Sequence, residues 1–146
     1  MSELVQKTID KFLMNLDLKD GGISLPLYQA GAREKAFMSI LRETVNPGDV
    51  CVDLGANIGY TTLFMLDRVG SDGFVYAIEP DQHNIDLLQA NITSNNFSDI
   101  VSVDKCAISD EDGTLDFWIA SQPNLNSVKK TKHSIRKEEI PCFTLK

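Results

Sequence analysis

With two histidines, three cysteines and no C-x-x-C pair, this 146-residue chain lacks the pattern of a zinc or iron–sulfur site, and no metal is expected. Cys51, Cys106 and Cys142 are odd in number and each lies in an apolar, strand-like run. They read as small buried hydrophobes in a reducing compartment, not as a disulfide framework. No apolar run approaches the roughly 18 residues of a membrane span, and Met1-Ser2-Glu3-Leu4 lacks the cationic start and apolar core of a signal peptide. A cytoplasmic location follows as the expectation. Positive charge is in deficit, 14 Lys and Arg against 21 Asp and Glu, for a net charge of -7. That balance favours solubility and repels phosphate backbones and anionic lipid, so neither a nucleic-acid partner nor a membrane is expected. The 42% hydrophobic content is that of an ordinary folded domain, and a chain of this length buries about two-thirds of its unfolded surface.

Glycine is also missing from one position where a dinucleotide site would require it. In Val50-Cys51-Val52-Asp53-Leu54-Gly55-Ala56-Asn57-Ile58-Gly59 a buried strand runs into a glycine turn that opens a helix. Ligands of doubly wound sheets sit outside the carboxyl ends of the strands, where such a turn lets backbone approach them. Glycine permits that approach because it has no Cβ and free access to positive φ. Dinucleotides place a pyrophosphate on the helix start and use G-x-G-x-x-G; here Asn57 occupies the middle glycine position. A second buried strand, Phe74-Val75-Tyr76-Ala77-Ile78, delivers Glu79 immediately before Pro80. Glu79 stands in the register of a carboxylate that accepts hydrogen bonds from ribose hydroxyls. Gly55-x-x-x-Gly59 after Asp53 suits an adenosine-containing ligand with an amino acid tail in place of a diphosphate, and S-adenosylmethionine is such a ligand. Its carboxylate can meet the N–H groups of the turn, and its ammonium would be drawn toward Asp53, directly or through water. A ligand-free turn needs the glycines but not Asp53 and Glu79 together.

Val52-Asp53-Leu54-Gly55-Ala56-Asn57-Ile58-Gly59-Tyr60-Thr61-Thr62, with Pro47-Gly48-Asp49 before it and Ile78-Glu79-Pro80 after it, resembles the FkbM-type branch of the class I S-adenosylmethionine-dependent methyltransferases. Ala56-Asn57-Ile58-Gly59 is the more specific part. Ala107-Ile108-Ser109-Asp110 followed by Gly113 and Phe117, and Pro141-Cys142-Phe143-Thr144-Leu145, are similar to the same family's middle section. The likeness runs from about Glu34 to Leu145. It implies an α/β, Rossmann-like, three-layer methyltransferase fold with a parallel sheet and an added antiparallel hairpin. It also implies methyl transfer from S-adenosylmethionine to a hydroxyl on a sugar or small metabolite. Carried over by position, Asp53, Gly55, Ala56, Asn57 and Gly59 line the methionine end and Glu79 the ribose, with the adenine near Pro80 and around Asp104 to Ala107. No catalytic base is identified. Where the family continues from a Thr-Leu-Asp segment into a strand ending Asp-x-Glu-Gly, this chain has Lys146 in the Asp position. The expectation is therefore a cofactor-binding half without the later core strands, whose first strand offers an apolar edge to a homodimer. Two alternatives stay open: an inactive domain that acts only through assembly, and a nicotinamide-binding oxidoreductase domain.

Periodicity organises the chain as a single domain: a helical segment over residues 1–46 that packs on the sheet, and a cofactor-binding half over 47–146. Leu4, Val5, Ile9, Phe12, Leu13 and Leu16 predict a first amphipathic helix ended by Asp20-Gly21-Gly22. A loop with Pro26 and Tyr28 follows, then a helix over Ala36, Phe37, Ile40 and Leu41 that closes near Asn46-Pro47-Gly48. Glu34 reads first as a solvated helix-start carboxylate, while the family resemblance implies an acidic residue at this place that approaches the cofactor pocket. The third helix opens at the glycine turn and runs to Gly70. Asp81 caps a fourth carrying Ile85, Leu88 and Ile92, released at Asn95-Asn96 before the strand Ile100-Val101-Ser102-Val103. This β-α-β-α-β order predicts three parallel strands. Asp110-Glu111-Asp112-Gly113 then turns into an alternating strand of Leu115, Phe117 and Ile119, one half of an antiparallel hairpin. Trp118, on its other face, reads as a packing residue. Gln122 to Lys132 reads as a loop, with Lys129, Lys130, Lys132, Arg136 and Lys137 a solvated basic patch and His83 and His133 in solvent.

Overall fold

A computed structural model describes residues 3–122 and 125–145. Pro123 and Asn124 of the expected loop, and Lys146, lie outside the described residues.

The first segment departs from expectation: residues 4–17 form a β-hairpin, not a helix. β1 (Leu4–Ile9) and β2 (Phe12–Asp17) pair antiparallel, with Ile9 opposite Phe12 across a turn at Asp10-Lys11. Asp10 takes a left-handed φ of 56°. Positions i and i+4 share a face in strands as they do in helices, so Val5/Ile9 and Phe12/Leu16 fit both periods. The deciding positions lie between them: Met14 is fully buried while Leu13 is 37% exposed. Asp20-Gly21-Gly22 then leads into a helix where a loop was expected, α1 (Ser24–Ala30). Pro26 fits its first turn, where an N–H would have no helical partner. The Asp20 carboxylate accepts from the amides of Gly22, Ile23 and Ser24 and holds the start of α1. α2 (Lys35–Thr44) forms as predicted and packs on α3 (Tyr60–Val69), with its Met38 and Leu41 in the main core.

The central sheet is parallel in the order β3-β4-β5, from β3 (Val50–Leu54), β4 (Phe74–Ile78) and β5 (Val101–Asp104). α3 (Tyr60–Val69) and α4 (Gln82–Ser94) connect them, and Asp81 caps α4 by accepting from the amides of His83 and Asn84. Alternation sorts the two faces. Val75 and Ala77 face the helices and join Leu63, Leu66 and Leu88 in the core. Val50, Val52, Leu54 and Tyr76 share the other face and are exposed, Val50 at 67% against 0% for Val75.

The N-terminal hairpin is tied to this sheet through a buried amide. Asn91 of α4 accepts from the backbone and side-chain amides of Asn15 in β2, and its Nδ2 donates to the Ile58 carbonyl at 2.7 Å. A second small sheet, ordered β6-β8-β7, comprises β6 (Ala107–Ile108), β7 (Gly113–Ala120) and β8 (Ser134–Phe143), with β7 and β8 antiparallel around Phe117, Ile119 and Ile140. Trp118 is half-buried on the opposite face, with Lys130 Nζ 5.2 Å from its ring centroid. Part of the basic patch is paired, Arg136 with Glu138 and Lys137 with Asp116. The three cysteines are free thiols, Cys106 and Cys142 buried and Cys51 half-buried. No helix among the described residues is long and apolar enough to cross a membrane.

Candidate donor-binding site

The turn between β3 and α3 folds back on the end of β4. The amides of Gly55 and Ala56 donate to the Ile78 carbonyl at 2.9 and 3.0 Å, and that of Gly59 to the Ala56 carbonyl at 2.9 Å. Ile58 N–H is held by the Asn57 Oδ1, and Asn57 N–H donates to Glu79 Oε2 at 2.8 Å. This last bond joins the two halves of the sequence motif. Every amide from Gly55 to Gly59 is therefore engaged within the protein, so the amides that the sequence reading offered to a ligand carboxylate already have partners.

The two glycines serve different ends. Both hold left-handed backbone, Gly55 at φ 79° and Gly59 at φ 90°. A Cβ on Gly55 would meet no heavy atom within 4 Å, whereas one on Gly59 would lie 2.6 Å from Leu88 Cδ1. Gly55 thus borders open space, and Gly59 lets α3 close on α4.

Glu79 is buried, and burial raises its pKa, against the lowering effect of its hydrogen bonds from Asp81, Asn84 and Asn57. Its Oε1 accepts from Asp81 N–H and Asn84 Nδ2 at 3.0 and 3.1 Å. With two lone pairs per carboxylate oxygen, Oε2 retains one acceptor site beyond the Asn57 bond. Asn84 Oδ1, on the amide that braces Glu79, is buried without a donor. Asp53 is also buried, and its pKa is raised by burial, with an opposing hydrogen bond from the Thr62 hydroxyl to Oδ2 at 2.6 Å. It lies beneath α3.

A cavity of 170 Å³ opens beside the turn, lined by Gly55, Ala56, Asn57, Tyr60, Arg33 and Glu34 among others. Of the residues carried over from the sequence, Gly55, Ala56 and Asn57 line it and Glu79 is tied to it through Asn57. Asp53, Gly59, Pro80, Asp104 and Ala107 do not line it. Asp104 donates nothing to the cavity but accepts Glu79 N–H on its carbonyl at 3.1 Å, fixing the end of β4. Ala107 packs against the Phe117 cluster in the second sheet. Glu34 combines its two expected readings, since its side chain is half-exposed yet borders the cavity, and its φ of 47° is left-handed. Arg33 and Ile23 were not anticipated; Ile23 comes from the start of α1, and no local pattern marks it. His83 is not purely solvated either, since its Nε2 lies 3.2 Å from Asp17 Oδ2.

The family model of the FkbM methyltransferase domain matches residues 53–141, more than half of the chain and including the joined turn and Glu79. The chain belongs to the FkbM methyltransferase family. Solved structures agree on the Rossmann-like methyltransferase fold. A transferase of Pyrococcus horikoshii superposes with a TM-score of 0.56 at 22% identity, over 73% of this chain and 37% of that one. Trm5 of Methanocaldococcus jannaschii, in complex with adenosine, gives 0.54 at 19% over 76% and 35%, and TYW2 of P. horikoshii, in complex with MeSAdo, gives 0.55 at 23% over 73% and 37%. This FkbM-family chain therefore spans well under half the length of those structures. No curated protein matches it.

The residues present fit the methyl donor that the family implies. Gly55 leaves room at the cavity wall, and Glu79, joined to the turn through Asn57, keeps an Oε2 acceptor site of the kind a ribose hydroxyl donates to.

Proposed function

We propose that this FkbM-family chain binds S-adenosylmethionine beside Gly55 and forms the donor-binding part of a methyltransferase whose acceptor is a hydroxyl on a sugar or small metabolite. The observation that carries this reading is the 2.8 Å bond from Asn57 N–H to Glu79 Oε2, which brings the glycine turn and the ribose-type carboxylate into one unit next to the cavity. The sulfonium of the donor supplies an already electrophilic methyl group. The protein's own part is alignment and exclusion of water. Glu79 is held from three sides and cannot swing, so a ribose anchored on it is fixed relative to the turn. The excess of carboxylates over basic residues, net -7, supports a small, uncharged acceptor over a polyanion.

Isothermal calorimetry with S-adenosylhomocysteine tests the reading. Glu79→Gln, which keeps the side chain's size, is expected to weaken binding by about 1.5 to 3 kcal/mol, the scale of one hydrogen bond to a charged group. Unchanged affinity in that variant would remove Glu79 from the site. A thermal shift with NADH but not with S-adenosylmethionine would replace the reading with the nicotinamide one.

A further inference from the structure

Resting on the donor reading above, we infer that Arg33 receives the carboxylate of the donor's amino acid tail. The backbone amides that usually attract such a group are not available here. Gly55 and Ala56 amides are held by Ile78, Asn57's by Glu79, Ile58's by Asn57 and Gly59's by Ala56. A carboxylate leaving water for a cavity needs compensating charge or donors. Among the described residues lining this cavity, Arg33 is the one cation.

Its geometry leaves it capacity. A guanidinium carries five N–H donors; Nη1 donates to the Gly22 carbonyl, which anchors the side chain to the turn before α1. Nη2 lies 3.9 Å from Glu34 Oε1, an ion pair too long for a hydrogen bond, and the Glu34 side chain is 55% exposed. The Arg33 amide donates to the Tyr60 hydroxyl at 3.4 Å, so its backbone is tied to the first residue of α3. Tyr60 and Thr61 also line the cavity, and first-turn amides have no partner within their own helix. Guanidinium and helix start thus converge on one space, with planar donors matched to a carboxylate. With the turn amides already engaged, Arg33 takes the place that they would otherwise have in holding the tail carboxylate.

The test compares two ligands that share the nucleoside and differ in the tail: S-adenosylhomocysteine has it, and 5′-methylthioadenosine lacks it. Calorimetry on wild type, Arg33→Gln and Arg33→Lys reads the difference, with thermal unfolding run alongside to confirm folding. Arg33→Gln is expected to weaken S-adenosylhomocysteine by about 10- to 100-fold, the equivalent of one charged contact, and 5′-methylthioadenosine by less than about 2-fold. Arg33→Lys keeps the charge and is expected to recover part of the loss, and it carries the test if the glutamine variant fails to fold. Equal losses for both ligands would assign Arg33 a structural role through Gly22 and overturn the inference, as would no loss for either. If wild type binds 5′-methylthioadenosine and S-adenosylhomocysteine equally well, the tail has no anchor and the inference falls while the donor site stands. Binding of neither by wild type would overturn the donor reading itself.

Discussion

The two ends of the glycine turn share a left-handed backbone and differ in everything around it. At the Gly55 end the space is open and bordered by Arg33, Glu34 and Tyr60. At the Gly59 end it is filled by Leu88, and the neighbouring Ile58 carbonyl is held by the buried Asn91. One end borders a cavity, and the other locks α3, α4 and the N-terminal hairpin together. The same residue type at a short spacing therefore stands in two settings, an open cavity wall at Gly55 and a close helix contact at Gly59. Substitutions should separate them into loss of binding and loss of stability.

The closed end should give the largest effect. Asn91→Leu leaves the Ile58 carbonyl and the Asn15 amide without their partner, and each buried unsatisfied group costs about 1 to 3 kcal/mol. A loss of roughly 2 to 4 kcal/mol in urea unfolding is expected, and a loss below about 0.5 kcal/mol would mean that water replaces the amide. Next come the glycines as a pair. Gly59→Ala forces Leu88 to move and should cost about 1 to 3 kcal/mol, with affinity for S-adenosylhomocysteine kept in the folded fraction. Gly55→Ala should cost only the left-handed strain, about 1 to 2 kcal/mol, yet lower affinity by about tenfold or more because its methyl group enters the cavity. If both variants lose stability and affinity in the same ratio, the two ends are not distinct.

The smallest effect is expected from pH. Burial raises the pKa of Asp53 above 3.8, so its contribution to stability is present below that value and is lost as pH rises through the folded-state pKa. Asp53→Asn should therefore gain relative to wild type between pH 3 and pH 7, while its amide oxygen still accepts from Thr62. A relative loss over that range would show that the anion itself is stabilised beneath α3. Asp17 provides the opposite sign. Burial raises its pKa, but hydrogen bonds from the Glu3 and Lys19 amides and the nearby His83 outweigh that and hold it below 3.8. Its contribution is present above 3.8 and is lost as pH falls through the lowered value.

Much of the fold could be read from local pattern. The alternation of apolar strands with helices from Val50 to Asp104 left one arrangement open, and Asp81 caps α4 as its position before the helix implied, but the strands expected to be buried are covered on one face only, with Val50, Val52, Leu54 and Tyr76 exposed on the other. The N-terminal hairpin could not be read so, because Val5, Ile9, Phe12 and Leu16 satisfy two periods at once. Only burial of Met14 against exposure of Leu13 distinguishes them, and burial depends on where α4 lies. The site was legible where it is contiguous. Gly55, Ala56 and Asn57 line the cavity and Glu79 is joined to them. It was illegible where it is assembled from distant segments, since Ile23 and Arg33 precede α1 and α2, far from the turn in sequence, and line the cavity only in the folded chain.

The order of residues alone determined the strand-turn-helix that carries Gly55 and the strand that ends at Glu79, because short-range sterics and alternating burial act within a few positions along the chain. Tertiary structure alone decided which donors and acceptors remain for a ligand. Hydrogen bonds between Gly55 and Ile78, Asn57 and Glu79, and Asn91 and Ile58 form only once separate elements meet, and they leave Arg33 with the capacity that the turn amides no longer have.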